Sequence, residues 1–159
     1  MNDKKNNGVL LDTLMAGIDY TLCCGGTGST VIQSVSADSR KVTPGSIFVA
    51  VQGDTSDGHE FVKDAVNNGA RAVLVNRGQG FSSSPDALKN RAVMEVDDTR
   101  EVLGVIASRF YGNPAEEMLM VGITGTNGKT TISYLMEHVL VKSGKQLGVI
   151  GTINYRYHG

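Results

Sequence analysis

The chain has 159 residues, 40% of them hydrophobic and 19% charged, with 15 basic against 16 acidic side chains and a formal charge of -1. That length suits one ordinary domain, or a small domain plus the opening of another, and the even charge balance lacks the basic footprint of a nucleic-acid binder. No apolar run approaches the ~20 residues of a membrane span, and Asp12 breaks the apolar stretch after the polar start Met1–Asn7, so no membrane partner and a cytoplasmic location are expected.

Leu10, Leu11, Leu14 and Ile18 recur at helical spacing and predict a short amphipathic helix over 9–18. Cys23 and Cys24 are sequence neighbours without the spaced partners of a metal site, so two reduced thiols are expected. Gly25-Gly26-Thr27-Gly28 shows neither an apolar strand before it nor a helix after it and reads as a loop rather than a phosphate cradle. The chain then reads as extended from Val31 through Val35 to Asp38-Ser39-Arg40, turns at Thr43-Pro44-Gly45 and enters a continuous apolar run of strand length over 47–51. A polar loop over 53–58 leads into a helical pattern through His59, Val62, Ala65 and Val66, stopped by Asn68-Gly69. Ala72–Val75 predicts a strand, Ser82-Ser83-Ser84-Pro85 a loop, and Ala92–Val96 another strand. Asp97 and Asp98 are placed to cap a helix over 99–111 whose face carries Val102, Leu103, Ile106, Ala107 and Phe110. Gly112-Asn113-Pro114 ends it, and a domain boundary is expected there, dividing 1–114 from 115–159. Beyond it, Met118–Thr124 predicts a strand, 129–142 a helix and 146–150 a second strand, parallel to the first by the crossover rule. The whole reads as an α/β chain.

Between the expected strand and helix of the second region lies Gly125-Thr126-Asn127-Gly128-Lys129-Thr130-Thr131. Glycines at 125 and 128 permit positive φ and close approach of backbone amides to phosphate oxygens, and the unpaired amides of a helix start add partial positive charge. All seven residues are candidate ATP contacts. Lys129 is the catalytic candidate, within reach of the β- and γ-phosphates, and the Thr130 hydroxyl is the candidate Mg2+ ligand. Ile123 stands where the general NTPase pattern has its first glycine, so the motif is shorter than in ordinary kinases. A bare structural turn is the competing reading, but it has no use for Lys-Thr at the first helical positions. A small kinase is another, and it needs an acidic partner on a later strand, whereas Asp97-Asp98 precede the loop.

Val121-Gly122-Ile123-Thr124 followed by that loop resembles the ATP loop of the Mur ligases, which add amino acids in peptidoglycan precursor synthesis. Asp38-Ser39-Arg40, Pro44–Ala50, Asp57-Gly58-His59-Glu60-Phe61, Gly69-Ala70-Arg71-Ala72 and Arg109-Phe110-Tyr111 resemble the same family's N-terminal UDP-binding domain. The likeness is greatest to the branch that adds the third amino acid to UDP-N-acetylmuramoyl-L-alanyl-D-glutamate, with the dipeptide-adding branch close behind and a non-catalytic UDP-sugar-binding module as the reading from another class.

The resemblance implies a small UDP-sugar-binding domain followed by the opening of a Rossmann-like ATP-binding domain. It also implies ATP and Mg2+ as cofactors, an acyl-phosphate route, and a monomer whose substrate is a UDP-N-acetylmuramoyl-peptide. UDP-sugar contacts would come from Ala37, Ser39, Asp54, Thr55 and Ser56, with Asp54 acting through its backbone because a carboxylate is a poor neighbour for a diphosphate. Arg40 could meet a phosphate or pair with Asp38; His59 reads as a capping or packing group and His138 as a solvated one, and His158 is uninformative. The family's later magnesium ligand, carbamylated lysine and amino-acid-binding domain would fall beyond Gly159. This chain alone is therefore expected to be inactive, with apolar faces of its second region left bare.

Overall fold

A computed structural model describes residues 8–26, 28–54, 56–79, 88 and 90–158. It divides into two compact units, one up to Glu117 and one from Met118.

In the first unit, Val9–Leu10 (β1) runs into the helix Leu11–Met15 (α1), and Thr21–Cys24 (β2), Val31–Ile32 (β3), Ser34–Ser36 (β4) and Ser46–Val49 (β5) follow. Next come Val62–Asn67 (α2), Ala72–Asn76 (β6), Ala92–Val96 (β7) and Thr99–Phe110 (α3), with single 3-10 turns at Ser39–Lys41, Gly58–Phe61 and Pro114–Glu117. The sheet has the order β2-β7-β6-β5-β4, parallel except for β2, which runs antiparallel to β7. β1 and β3 form a separate antiparallel pair.

Period-2 alternation sorts the strand residues to the two faces of this sheet. Ile47, Val49, Ala72, Leu74, Ala92, Met94 and Val96 join Leu11, Leu14 and Met15 of α1 and Ile106 and Phe110 of α3 in one core. Phe48, Val73, Val75 and Val93 face the other way, against Val62, Ala65 and Val66 of α2. Every position of β5 is buried, as the unbroken apolar run predicts for a strand covered on both sides. Each large side chain so buried stabilises the fold by about 1.5–3 kcal/mol.

The remaining local expectations divide. The 9–18 helix shrinks to 11–15, because Gly17 turns with φ 69° and Val9–Leu10 pair with Ile32 and Val31. A strand does precede the glycines at 25–28: β2, an edge strand whose exposed residues carry no apolar pattern. Gly25 lies so close to the chain that a Cβ would stand 2.1 Å from the Arg91 carbonyl oxygen, so its role is close approach. The loop expected at 82–85 lies outside the described residues.

The second unit contains Lys129–Lys142 (α4), Leu147–Ile150 (β8) and Tyr155–His158 (β9). The helix matches its expected bounds, but residues 118–124 form no strand, and β8 pairs antiparallel with β9 instead of parallel to them. A strand needs a ladder partner, and no described residue pairs with 118–124; Gly151 N–H donating to Asn154 O (3.2 Å) turns the chain back so that β9 supplies β8's partner. Arg156 holds this hairpin to α4, its Nε 2.9 Å and its NH2 2.6 Å from Glu137 Oε2 and its guanidinium 4.0 Å above the Tyr134 ring. Contact with Glu137 raises the Arg156 pKa. The expected bare faces are present: Leu119, Leu135, Val139 and Ile150 are all exposed, and Glu137 is the one buried side chain among the described residues from 118 onward.

Candidate functional site

In the first unit the polar loops gather at the carboxyl ends of the parallel strands, where open α/β sheets place their ligands. β4 and β5 pair in parallel with Ser36 beside Phe48, so the segments that follow them leave the same edge of the sheet. Ala37 and Ser39 stand after β4. After β5, Gln52 bridges Asp57 and Gly53 N–H donates to Ser56 O at 2.9 Å, closing a hairpin with Asp54 at its tip. Thr55 lies outside the described residues.

A cavity of about 380 Å³ opens here, lined by Gln52, Gly53, Asp54, Asn76, Asp97, Asp98, Thr99 and Arg100. Of the expected substrate residues that are described, Asp54 lines it; Ala37, Ser39 and Ser56 do not. Ala37 and Ser56 are exposed, and Ser39 is buried, its carbonyl accepting from Asn68 Nδ2 at 2.9 Å. The local cap is built by its neighbours: Ser36 Oγ donates to Asp38 O at 2.8 Å, and Asp38 Oδ1 accepts from Arg40 N–H at 3.1 Å. Of the two readings for Arg40, the ion pair is the one formed, with Nε and NH2 each 2.9 Å from the Asp38 carboxylate. Those bonds hold the Asp38 carboxyl at about 2.

The acids around the cavity are largely engaged. Asp98 Oδ1 accepts from Arg100 N–H at 2.7 Å and caps α3, Asp97 pairs with Arg77 at 3.1 Å, and Arg100 NH2 donates to Gln52 O at 2.7 Å. Asn76, Thr99 and Arg100 went unread in the sequence. The one available signal is their position directly after a strand or at a helix start, which they share with many ordinary loop residues.

In the second unit the loop from Gly125 to Thr131 enters α4 with Gly125 at φ 145° and Gly128 at φ 78°. No side chain caps this helix start, which leaves first-turn amides for an outside acceptor. Nothing stands within 4 Å of the position a Gly128 Cβ would take, so the turn is open. Thr126, Asn127, Thr130 and Thr131 are exposed, and Lys129 curls back so that Nζ donates to Gly125 O at 2.5 Å. The arrangement therefore fits a phosphate group: open amides, the dipole of a helix of 14 residues, and a lysine that, among the described residues, bonds to a carbonyl of its own loop. His138 is exposed, as expected.

Residues 31–111 match the family model described as Mur ligase family, catalytic domain, and residues 123–158 match the Mur ligase middle domain. The chain is 39% identical over 146 residues to UDP-N-acetylmuramoyl-L-alanyl-D-glutamate-2,6-diaminopimelate ligase 1 of Clostridium acetobutylicum, a match that takes in 91% of this chain and 29% of that relative. A solved structure of UDP-N-acetylmuramoyl-L-alanyl-D-glutamate-2,6-diaminopimelate ligase superposes with a TM-score of 0.67 at 25% identity, over 94% of this chain and 29% of that one. The D-alanyl-D-alanyl-adding ligase of Acinetobacter baumannii superposes at 0.63 with 22% identity, over 96% and 32%, and shows the fold alone. This chain thus spans well under half the length of these relatives. Among the described residues no helix is long and apolar enough to cross a membrane.

Proposed function

The chain belongs to the Mur ligase family, and from that premise we propose that it serves an ATP-dependent amide ligase acting on UDP-N-acetylmuramoyl-L-alanyl-D-glutamate, with 2,6-diaminopimelate as the incoming amino acid. Residues up to about 114 form the part that takes the UDP end of the substrate, through Ala37, Ser39 and the tip Asp54–Ser56, and those from about 115 take the phosphates of ATP. One observation carries the phosphoryl chemistry: two glycines in positive φ lead into an uncapped helix start with Lys129 at its first position. The 39% identity to a diaminopimelate ligase supports the choice of amino acid.

Lys129 turns its ammonium from Gly125 O to the β- and γ-phosphates, and the amides of residues 126–131 take their oxygens. Thr130 would hold a Mg2+ through its hydroxyl, and the ion would supply neutralisation of phosphate charge. The lysine is the one full charge in the loop, while the amides carry partial charges that survive its loss.

The test is Lys129→Ala in the ligase that contains this chain. Loss of a charge-assisted contact should weaken ATP use by about tenfold to over a hundredfold, with UDP affinity unchanged. ATP kinetics within twofold of the parent, in a folded variant, would reduce the loop to a structural turn.

A further inference from the structure

Behind the wall of the 380 Å³ cavity runs a chain of hydrogen bonds centred on a histidine that neither nucleotide contact uses. His59 is only 4% exposed. Its Nδ1 lies 2.6 Å from Asp57 Oδ1, and its Nε2 lies 2.9 Å from the Asn76 backbone nitrogen, which can only donate. Nε2 is therefore the acceptor, and the ring proton sits on Nδ1, donated to Asp57. Beyond it, Asn76 Oδ1 accepts from Thr99 N–H at 2.8 Å, and Thr99 Oγ1 donates to Ala50 O at 2.7 Å. The chain ties the closing residue of the 52–57 hairpin to the end of β6, the start of α3 and the exit of β5.

A capping role does not account for this imidazole. The 3-10 turn is capped by Asp57, whose Oδ1 accepts from the His59 backbone N–H at 3.0 Å, a donor present in any residue but proline. The side chain adds something else, a bridge across 17 residues to a cavity-lining strand end.

We propose that His59, as its Nδ1–H tautomer, is a positioning residue for the UDP-sugar site: it clamps Asp57 to Asn76 and so sets the hairpin that carries Asp54, which lines the cavity, and Ser56. This rests on the reading that the tip meets the UDP end of the substrate. The two bonds can be removed separately, since His59→Asn keeps a donor near the Nδ1 place and His59→Gln keeps an acceptor near the Nε2 place.

UDP is titrated against the 159-residue chain and both variants by amide NMR, alongside thermal midpoints and the imidazole nitrogen spectrum of the parent. The expected result is an Nδ1–H tautomer in the parent and a roughly tenfold weaker UDP Kd in each variant, with the β5, β6 and β7 amides still dispersed. An Nε2–H tautomer overturns the inference, as do folded variants whose Kd stays within twofold. Should both variants unfold, the parent decides: UDP must slow exchange of the Asn76 amide together with those of 53–57, and an unmoved Asn76 refutes the clamp. No saturable UDP binding by the parent overturns the functional reading and the clamp with it, whereas an unchanged Kd in the variants overturns the clamp alone.

Discussion

Gly58 has ordinary backbone geometry, yet a Cβ there would stand 2.6 Å from the Val51 carbonyl oxygen and 2.7 Å from its nitrogen. Both are main-chain atoms fixed by the hairpin, so nothing flexible can yield. Gly58→Ala should therefore destabilise the first unit by about 1–3 kcal/mol, read as a lower urea midpoint; an unchanged midpoint would mean the 52–57 hairpin floats free of β5. Asp38 supplies a pH test. Its carboxyl titrates at about 2 because the Arg40 side chain and backbone both donate to it, below the ~3.9 of an unfolded aspartate. A depressed carboxylate contributes stability that is present above the unfolded value and lost as pH falls toward the folded one, so this pair weakens between about pH 4 and 2. Carboxyl-carbon NMR should give that midpoint, and Arg40→Ala should raise it toward the ordinary range. The pairing of Arg40 was one of two readings available in the sequence, since spacing names candidate partners but cannot choose between a neighbour and a ligand.

Elements whose burial imposes a pattern were the legible ones. β5, β6, β7 and α3 each show the apolar run or stripe that their faces demand, and α4 follows its capping glycine. β2 left no such trace because most of it is exposed at a sheet edge. The error at 118–124 has a different source: an apolar run says that a segment could be covered, not which strand bonds to it. β9 carries a signal in the alternation Tyr155-Arg156-Tyr157 after a glycine-containing turn, which the strand-helix-strand reading of 118–150 left out. At this scale Asp98→Ala should cost about 1 kcal/mol, because Asp98 Oδ1 takes the N–H groups of Arg100 and Glu101 at the start of α3. Urea unfolding with amide exchange resolved along 99–104 would check it, and unaltered protection there would assign the cap to another group.

Across the whole chain, the Ser39 and Asp54 segments leave the same end of the sheet because β4 and β5 are parallel neighbours, a pairing that no local pattern encodes. Resemblance named those segments; topology puts both after neighbouring parallel strands. The same scale separates the two units energetically. Every buried apolar side chain among the described residues lies at or before Phe110, whereas the stretch from Met118 leaves Leu119, Met120, Leu135, Val139 and Ile150 in water. Hydrophobic burial of about 25 cal/mol per Å² is the main term opposing a conformational entropy cost of roughly 1–2 kcal/mol per residue, so only the first unit has the means to fold cooperatively by itself. A polypeptide ending at Glu117 should unfold in one transition within a few degrees of the 159-residue chain, and residues 118–159 alone should give no cooperative transition at all. Calorimetry on the two pieces decides: loss of the transition in the first piece, or a sharp one in the second, would show that the Arg156–Glu137 clamp and its hairpin contribute far more than the bare apolar faces around them suggest.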